Sequence, residues 1–456
     1  MRAQKGTSRR EFLRLSAVGA AGVMAAACTV PAVAPAAEQE QAAAPAAAEA
    51  VTVRLWHHWG GDRVPLMDKM IADFMATNPD IMVEATLQPW GQRLEKLLAS
   101  VSAGSPPDVT MLAEQDAPPF VRGNALLPLA ERMAEAGITL EEYYPPEAEG
   151  MQLEGDIWVL PNTVGGAQNI MFYIPEDFEE VGLDPENPPQ TWAELLDAIQ
   201  KLVVFDGDEI QRLACTLYGG TGASPDGFRH YMACNDAPMV SDDGLTSLID
   251  NEKTVEAVQF MYDVIDLQGG IEKVAAWQST TSAFETNPFF SGLQSIQFSG
   301  GWNYFYIKAA APDLAYLSTI SPVNNDSPST GSFNYSWGFA IPHGTKEPDA
   351  AWQLVKWLSY DLEGSCEFLK AQLQGHPLMA CTEQPEFRSA SFWPVVEESL
   401  GRTKVYGGSF PVWNELGDAM NTSLEEVYYH RKTPAEAVTE IGVQFQELLD
   451  EWWAAA

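Results

Sequence analysis

Basic side chains are scarce in this chain of 456 residues: 26 Lys and Arg stand against 63 Asp and Glu, for a formal net charge of −37. Phosphates are repelled at long range by such a field, which argues against a protein that binds nucleic acid. The field also disfavours an anionic small ligand unless a local cluster of Arg or Lys overrides it. Neutral or cationic ligands are therefore the natural candidates.

Common catalytic motifs are also missing. The sequence contains no H-E-x-x-H, no P-loop and no G-x-G-x-x-G. Residues 334–338 fall short of the nucleophile elbow of hydrolases because Asn334 stands where that motif needs glycine. His57 and His58 are adjacent, which is not the i, i+4 spacing of helical zinc ligands, and predict a polar loop. We expect a protein that is not an enzyme and needs neither metal nor cofactor.

Long apolar runs are scarce as well, and one short run belongs to an export signal. Residues 1–27 carry five basic side chains and one acidic side chain, and end in the apolar run 15–27. That run is shorter than the ~20 residues of a membrane span, as is every other apolar stretch, and it fits a signal peptide. Arg9 and Arg10, followed by Phe-Leu, resemble the twin-arginine export signal.

Cys28 follows three alanines, as at the cleavage site of a lipoprotein, although Ala25 stands where that pattern usually has Leu. Cleavage at an ordinary signal-peptidase site would instead leave a free secreted protein. Residues 28–50 are mostly Ala, Pro, Glu and Gln and predict a disordered tether behind a lipidated Cys28. We expect the body to lie at the outer face of the cell membrane, held by the lipid anchor alone, or in the periplasm.

The remaining cysteines are Cys215, Cys234, Cys366 and Cys381, and their spacing lacks the C-x₂₋₄-C pairs of zinc sites. In an exported chain, cysteines that are close in sequence more often pair. We therefore predict the disulfides Cys215–Cys234 and Cys366–Cys381. Each would close a loop of 15–20 residues, worth ~3 kcal/mol in the chain-entropy model.

Strand and helix signals alternate from residue 51 onward. Residues 51–56, 81–87 and 108–112 predict strands, with helices over 67–74 and 94–101 between them. This order predicts parallel pairing in an α/β layer. Further helices are predicted at 192–203 with Thr191 as N-cap, and at 254–267, 350–359, 424–429 and 434–453.

A series of short landmarks follows in a fixed order along residues 51–451. They are 53–56, 78–81, 105–109, 126–129, 157–161, 172–173, 189–195, 300–303, 337–342, 411–413 and 433–437. Each landmark alone is unspecific, but their order together with the export signal and tether is specific. The chain resembles the bacterial extracellular solute-binding proteins of family 1, the maltose-type proteins that serve ABC importers.

This resemblance implies an α/β fold, a two-lobed clamshell of the periplasmic-binding-protein type II, with hinge crossings between the lobes. We expect residues 51–165 and 322–360 in lobe 1, and 166–321 and 361–456 in lobe 2. The implied function is to capture a carbohydrate between the lobes and deliver it to the permease subunits of an ABC transporter, as a monomer. The alternatives are a polyol, nucleoside, peptide or amine as ligand, or an exported glycoside hydrolase. The sequence gives no signal for the hydrolase, since acid pairs arise by chance among 63 carboxylates.

A sugar site needs flat aromatic faces for C–H groups and polar side chains for hydroxyls, in loops where strands end. On the resemblance, Trp302 is the principal stacking residue and Trp413 a second platform, with a core tryptophan as the alternative for Trp302. Asp62 and Arg63 match an acid–base pair that contacts sugar hydroxyls, the alternative being a solvated loop. The other expected ligand contacts are Trp59, Trp90, Glu114, Asp116, Asn162, Gly165, Asn303, Tyr335 and Trp337. For Trp90, Tyr335 and Trp337 the alternative is a place in the core.

Two departures from the family pattern qualify this set. The family often has an aromatic residue before the acidic contact, and Ala113 stands at that place here. The acidic contact is Asp116, for which the alternative role is to cap a turn. The crossing after Asn162 is glycine-rich and lacks an acidic contact, which argues against a preference for maltodextrins.

Overall fold

A computed structural model describes residues 50–454 of the protein except 166–169, 221–223, 282–286, 326, 328–335 and 404–411. The expected signal peptide, lipidated Cys28 and tether lie outside the described residues. None of the helices that the structure describes combines the length and the apolar character needed to cross a membrane.

The described strands are β1 (Val51–His57), β2 (Ile81–Leu87), β3 (Val109–Ala113), β4 (Gln152–Leu153), β5 (Asp156–Ile157), β6 (Leu160–Thr163), β7 (Ile170–Tyr173), β8 (Val204–Asp206), β9 (Glu209–Cys215), β10 (Gln294–Ser299), β11 (Leu317–Ile320) and β12 (Trp337–Ala340).

The described α-helices are α1 (Val64–Thr77), α2 (Arg93–Ser102), α3 (Pro118–Arg122), α4 (Ala130–Glu135), α5 (Pro145–Gly150), α6 (Pro175–Glu180), α7 (Trp192–Leu202), α8 (Pro225–Cys234), α9 (Glu252–Asp266), α10 (Ile271–Thr281), α11 (Asn303–Ala310), α12 (Pro348–Ser359), α13 (Glu367–Ala371), α14 (Met379–Thr382), α15 (Pro385–Arg388), α16 (Trp393–Gly401), α17 (Trp413–Tyr428) and α18 (Pro434–Ala454).

The strands form two larger sheets, and the predicted parallel layer is part of the first. Sheet I has the order β2-β1-β3-β12-β6, with β1 parallel to both β2 and β3. Helices α1 and α2 make the crossovers that parallel strands require. Strand β12 returns late in the chain and pairs antiparallel with β3 and β6. The carboxyl ends of β1 and β3 therefore meet at the same edge of the sheet.

Sheet II is assembled from the middle of the chain. Its order is β11-β7-β10-β9-β8, with β10 parallel to β9 and antiparallel to β7. Helices α7 and α9 supply much of its core, where Trp192 stacks on Phe260 with ring centroids 4.2 Å apart. The chain passes from sheet I to sheet II after β6 and returns after β11, which is the connectivity that a two-lobed protein needs.

The helix predictions are confirmed, with some shifts in their bounds. Thr191 caps α7 as predicted, since its hydroxyl accepts a hydrogen bond from the backbone N–H of Glu194 at 3.3 Å. The helix predicted at 424–429 is the end of the longer α17. Gly417 weakens the helical pattern there, but a Cβ at this position would lie 3.1 Å from the ring of Pro225. Packing against α8 explains a residue that propensity alone disfavours.

One disulfide prediction is confirmed and the other is wrong. Cys366 and Cys381 are bonded, with their Cα atoms 5.7 Å apart. Cys215 and Cys234 are free, buried thiols in the described chain. Cys215 ends β9 and Cys234 ends α8, whose ten residues span ~15 Å, so closeness in sequence does not bring the two together. Both pack in the core around sheet II as small apolar groups, and burial raises the pKa of both.

The lobe boundaries expected from the sequence remain a proposal. Strands β1, β2, β3, β6 and β12 lie in the residues assigned to lobe 1, and β7–β11 lie in those assigned to lobe 2. Segment Leu362–Ala371, assigned to lobe 2, packs on α1 beside sheet I, where Phe368 contacts Trp59 with ring centroids 4.6 Å apart.

Removing the bridge should destabilise the protein measurably. A variant with Cys366→Ser and Cys381→Ser frees a loop with a sequence separation of 15, so its free energy of unfolding should fall by ~3 kcal/mol in urea titrations. Alkylation of the denatured, unreduced wild type followed by peptide mapping provides the control. Among the four cysteines beyond Cys28, we expect label on Cys215 and Cys234 only; label on Cys366 or Cys381 would contradict the pairing.

Candidate functional site

A cavity of about 330 Å³ lies between the edge of sheet I and the helix that follows β10 of sheet II. We call it the cleft cavity. From the side of sheet I it is lined by His58, Trp59, Gly60, Arg63, Trp90, Met111, Thr163, Val164 and Trp337. Trp302 and Tyr306, at and within the start of α11, line the opposite wall, and Gln374 completes the lining. The described site therefore draws on both sheets.

Trp302 separates the cleft cavity from a second cavity of about 470 Å³ on the side of sheet II. The second cavity is also lined by Gln294 and Gln297 of β10. The indole of Trp302 is half-buried and folds back over Gly300, where a Cβ would lie only 2.1 Å from a ring carbon. Glycine at position 300 is thus needed to leave room for the indole in this position.

An aromatic wall forms the mouth of the cleft cavity. The rings of Trp90 and Trp337 lie 5.0 Å apart, and His58 meets both edge-on at 6.3 Å. The guanidinium carbon of Arg93 lies 4.3 Å from the Trp90 ring and 5.3 Å from the Trp337 ring. Burial lowers the pKa of His58 to about 4, so this ring is neutral at physiological pH.

Asp116, predicted as a ligand contact, is bonded to an arginine of this wall. It is fully buried and forms an ion pair with Arg93 at 2.9 Å. Sequence reasoning missed Arg93. Its position three residues after Trp90, at the start of a predicted helix, was the available signal, because residues at that spacing are neighbours on a helical turn.

Arg63 is the positively charged side chain on the cavity wall. The short turn Gly61–Arg63 returns the chain from β1 to the start of α1, and Gly61 supplies the positive φ of 59° that this turn needs. The Arg63 side chain packs on aromatic rings, with its guanidinium carbon 4.8 Å from the ring of Tyr306 and 5.6 Å from that of Phe305. Its neighbour Asp62 is exposed and lies outside the cavity lining, so of the expected acid–base pair only Arg63 lines the cavity.

A buried hydrogen-bond network lies behind the cavity, where the chain crosses between the sheets. The carboxylate of Glu147 accepts the backbone N–H of Gly165 at 3.0 and 3.1 Å, and it also accepts the hydroxyl of Ser336. The carboxyl of Glu114 accepts the backbone N–H of Ser336 at 3.2 Å. Burial first, and then the charge of Glu147, raise the pKa of Glu114 well above its usual value, while the Ser336 N–H acts the other way.

The structure thus divides the predicted site residues into groups. Trp59, Arg63, Trp90, Trp302 and Trp337 line the cleft cavity. Glu114, Asp116, Asn162, Gly165 and Asn303 are buried outside its lining: Asn162 donates to the carbonyl of Leu358, and Asn303 donates to Gln297 at 3.2 Å. Tyr335 lies outside the described residues, and so does the side chain of Trp413, whose backbone begins α17. Sequence reasoning missed His58, Arg93, Glu147, Thr163, Tyr306 and Gln374.

A metal site is not formed by the described ranges, in which no group of three or more His, Cys, Asp or Glu is arranged to hold an ion. The walls of the cleft cavity instead offer indole faces and a few polar groups. This combination is typical of a site that binds a small polar molecule.

The buried carboxyl pair predicts a pH dependence of stability. Folded Glu114 keeps its proton where the unfolded chain has lost it, so this group's contribution to stability declines as pH rises from about 4.3 through the folded pKa. Glu114→Gln fixes the neutral form. Its free energy of unfolding should fall less than that of the wild type between about pH 5 and about pH 8 in urea titrations. Glu95→Gln, an exposed control on α2, should follow the wild type; a Glu114→Gln curve parallel to the wild type would contradict this assignment.

Solved structures share the fold at low sequence identity. The GacH receptor of Streptomyces glaucescens, studied unliganded and with acarbose, superposes with a TM-score of 0.75 at 19% identity, covering 88% of this chain and 99% of that one. A solute-binding protein of an ABC transporter from Thermotoga lettingae, bound with α-D-tagatose, gives 0.74 at 20% identity, covering 88% and 100%. These matches show the fold: the predicted two-lobed α/β architecture is confirmed.

Curated relatives match a shorter region. The sn-glycerol-3-phosphate-binding periplasmic protein of Escherichia coli K12 is 28% identical over 159 residues, which are 34% of this chain and 36% of that protein. The chain thus spans about a third of the length of the curated relatives it matches. Residues 60–359 match the sequence profile of a family described as bacterial extracellular solute-binding protein. Because this match covers 300 of the 456 residues, the chain belongs to the bacterial extracellular solute-binding protein family.

Proposed function

We propose that this protein captures a polyhydroxylated solute, a carbohydrate or a close relative of one, and delivers it to the permease of an ABC importer. The observation that carries the proposal is the cleft cavity, where the indoles of Trp90, Trp302 and Trp337 meet polar groups from both sheets. Indole faces stack on the C–H faces of a sugar ring, and the polar groups bond its hydroxyls. The cavity volume of about 330 Å³ falls in the range of small-molecule sites.

The comparisons support a sugar as the first ligand class to test. Proteins with the same fold have been found with acarbose and with α-D-tagatose. In this chain the polar groups on the cavity wall include Thr163, Gln374 and the neutral ring of His58, which can each bond a hydroxyl. We propose a binding role without catalysis, and a body tethered outside the cell membrane as a monomer through Cys28.

Two contacts away from the cavity support a mechanism in which the lobes close on the ligand. Arg229 of α8 donates to the side chain of Gln115, which follows β3, at 2.9 Å. The guanidinium carbon of Arg122 in α3 lies 3.8 Å from the ring centroid of Trp452 in α18. Both contacts join the side of sheet I to that of sheet II, and opening would break them. A ligand that contacts both sides adds to these contacts, so it shifts the population toward the closed form that the permease would bind.

A thermal-shift screen tests this function. Neutral sugars, sugar acids, polyols, their phosphates and amines are each added to the purified protein. A true ligand at ~100 times its Kd stabilises the native state by ~2.7 kcal/mol, which raises the melting temperature clearly. Labelled oligosaccharides should be recovered intact after incubation. Cleavage of these oligosaccharides would favour a glycoside hydrolase, and an amine as the sole ligand would contradict the sugar proposal.

Trp302→Ala should abolish the shift given by the wild-type ligand while the protein still folds. The substitution removes the ring that separates the two cavities and costs at least ~10-fold in affinity, or ~1.4 kcal/mol. Trp158→Ala is the matched control, because Trp158 is also partly buried but lies outside both cavities. A shift that survives Trp302→Ala unchanged would remove Trp302 from the site.

Gly300→Ala should weaken binding through the position of the Trp302 indole, because Gly300 itself is not part of the cavity lining. The new methyl group would displace the indole of Trp302, since its position lies 2.1 Å from a ring carbon. We expect an affinity at least ~10-fold lower by calorimetric titration. Gly401→Ala, in open space at the end of α16, should bind as the wild type does. Equal affinities for the two variants would show that the indole position does not matter.

A further inference from the structure

Arg63 is a buried charge that the described part of the protein leaves without a counterion. Only 8% of the residue is exposed, and its Nε and Nη2 atoms have no hydrogen-bond partner among the described residues. The contacts of its guanidinium are the rings of Tyr306 and Phe305. Two other arginines beside sheet I are paired: Arg54 with Asp108 at 3.1 Å and Arg93 with Asp116 at 2.9 Å.

This arrangement is costly in the absence of a partner. A guanidinium stays protonated, and burial of an unneutralised charge costs several kcal/mol. Stacking on aromatic rings offsets only about 0.5–2 kcal/mol of this burial cost. Bound solute is therefore the natural source of the missing partner, because Arg63 lies on the wall of the cleft cavity.

The rest of the cavity wall does not supply a negative charge. Its described lining includes Arg63 but no Asp or Glu, although the chain has 63 acidic residues. The titratable groups nearest the cavity do not change this balance. His58 is neutral at physiological pH, and the charge of Arg93 is already neutralised by Asp116 behind the wall. Glu114 and Glu147 bond the chain crossings and lie outside the lining.

We propose that the solute carries one anionic group, a phosphate or a carboxylate, and that Arg63 binds it. The substrate class is then a sugar acid, a sugar phosphate or a polyol phosphate. The fork of N–H donors on a guanidinium matches the oxygens of either group. The remainder of the solute stacks on the indoles and bonds the neutral polar groups. This inference rests on the proposed function, and it reverses the expectation from net charge, since the described cavity lining is locally basic.

Matched ligand pairs test the inference. Calorimetric titrations compare D-glucuronate and glucose 6-phosphate with glucose, and sn-glycerol 3-phosphate with glycerol. For at least one pair the wild type should bind the anionic member ~10-fold tighter or more. The carboxylate and phosphate probes show which anion is preferred. If glucose or glycerol binds as tightly as every charged counterpart, the inference is wrong while the proposed function stands. No binding of any probe, neutral or charged, would overturn both.

Variants then assign the preference to Arg63. Arg63→Gln should lose the affinity advantage of the anionic member over the neutral member, and Arg63→Lys should keep part of that advantage. Arg212→Gln is the control, because Arg212 is paired with Asp177 and Glu180 and lies outside the lining of both cavities. An anion preference that survives Arg63→Gln would overturn the assignment.

Stability provides an independent readout that needs no ligand. If nothing in the protein neutralises Arg63, unliganded Arg63→Gln should melt at or above the wild-type temperature. A clearly lower melting temperature would mean that an internal partner already neutralises the guanidinium, and the inference would fail.

Discussion

The carboxylate of Glu147 joins the two places where the chain passes between the sheets. Gly165 follows β6 and Ser336 precedes β12, and both bond to this one side chain. The segment at Gly375 is bonded next to them, because the backbone N–H of Val164 donates to the carbonyl of Gly375 at 3.3 Å. The relative position of the walls of the cleft cavity depends on these bonds. A buried network of this kind stays specific only while every member is satisfied.

Local patterns predicted the frame of the protein well. Strand β2 has the predicted bounds, and α1 and α2 lie where helical spacing places them, because period and caps are properties of neighbouring residues. The pairing of Cys215 with Cys234 was wrong for the converse reason. Whether two cysteines meet depends on where a strand and a helix end in space, and sequence distance carries little of that information.

The candidate site was predicted in part. Trp59, Trp90 and Trp302 follow strand ends and lie on the cavity wall, whereas the acidic residues that follow β3 turn inward. Asp116 turns toward Arg93, which comes from a different crossover, and Glu114 turns toward the crossing at Ser336. Side-chain direction at a strand end is set by partners far away in sequence. No single-sequence pattern contains Glu147 of α5, whose partners are 18 and 189 residues distant.

The net charge of the protein and the charge of its described cavity lining have opposite signs. Surface carboxylates act through water and salt, which screen them beyond about 8 Å at physiological ionic strength. A guanidinium in contact with a ligand acts at ~4 Å in a medium of lower dielectric, where one ion pair is worth about 4 kcal/mol. The formal charge of −37 therefore governs the long-range interactions of the whole protein. The charge of the cavity lining governs which solute can bind there.

Because the Trp302 indole lies over Gly300, substitutions at positions 300 and 302 are coupled in evolution. No residue larger than glycine fits at 300 while the indole keeps its place. A lineage that replaced Gly300 would have to give up the ring at 302 first or at the same time, and with it the partition between the two cavities. Because Trp302 lines both cavities, a change at Gly300 would alter the walls of both at once.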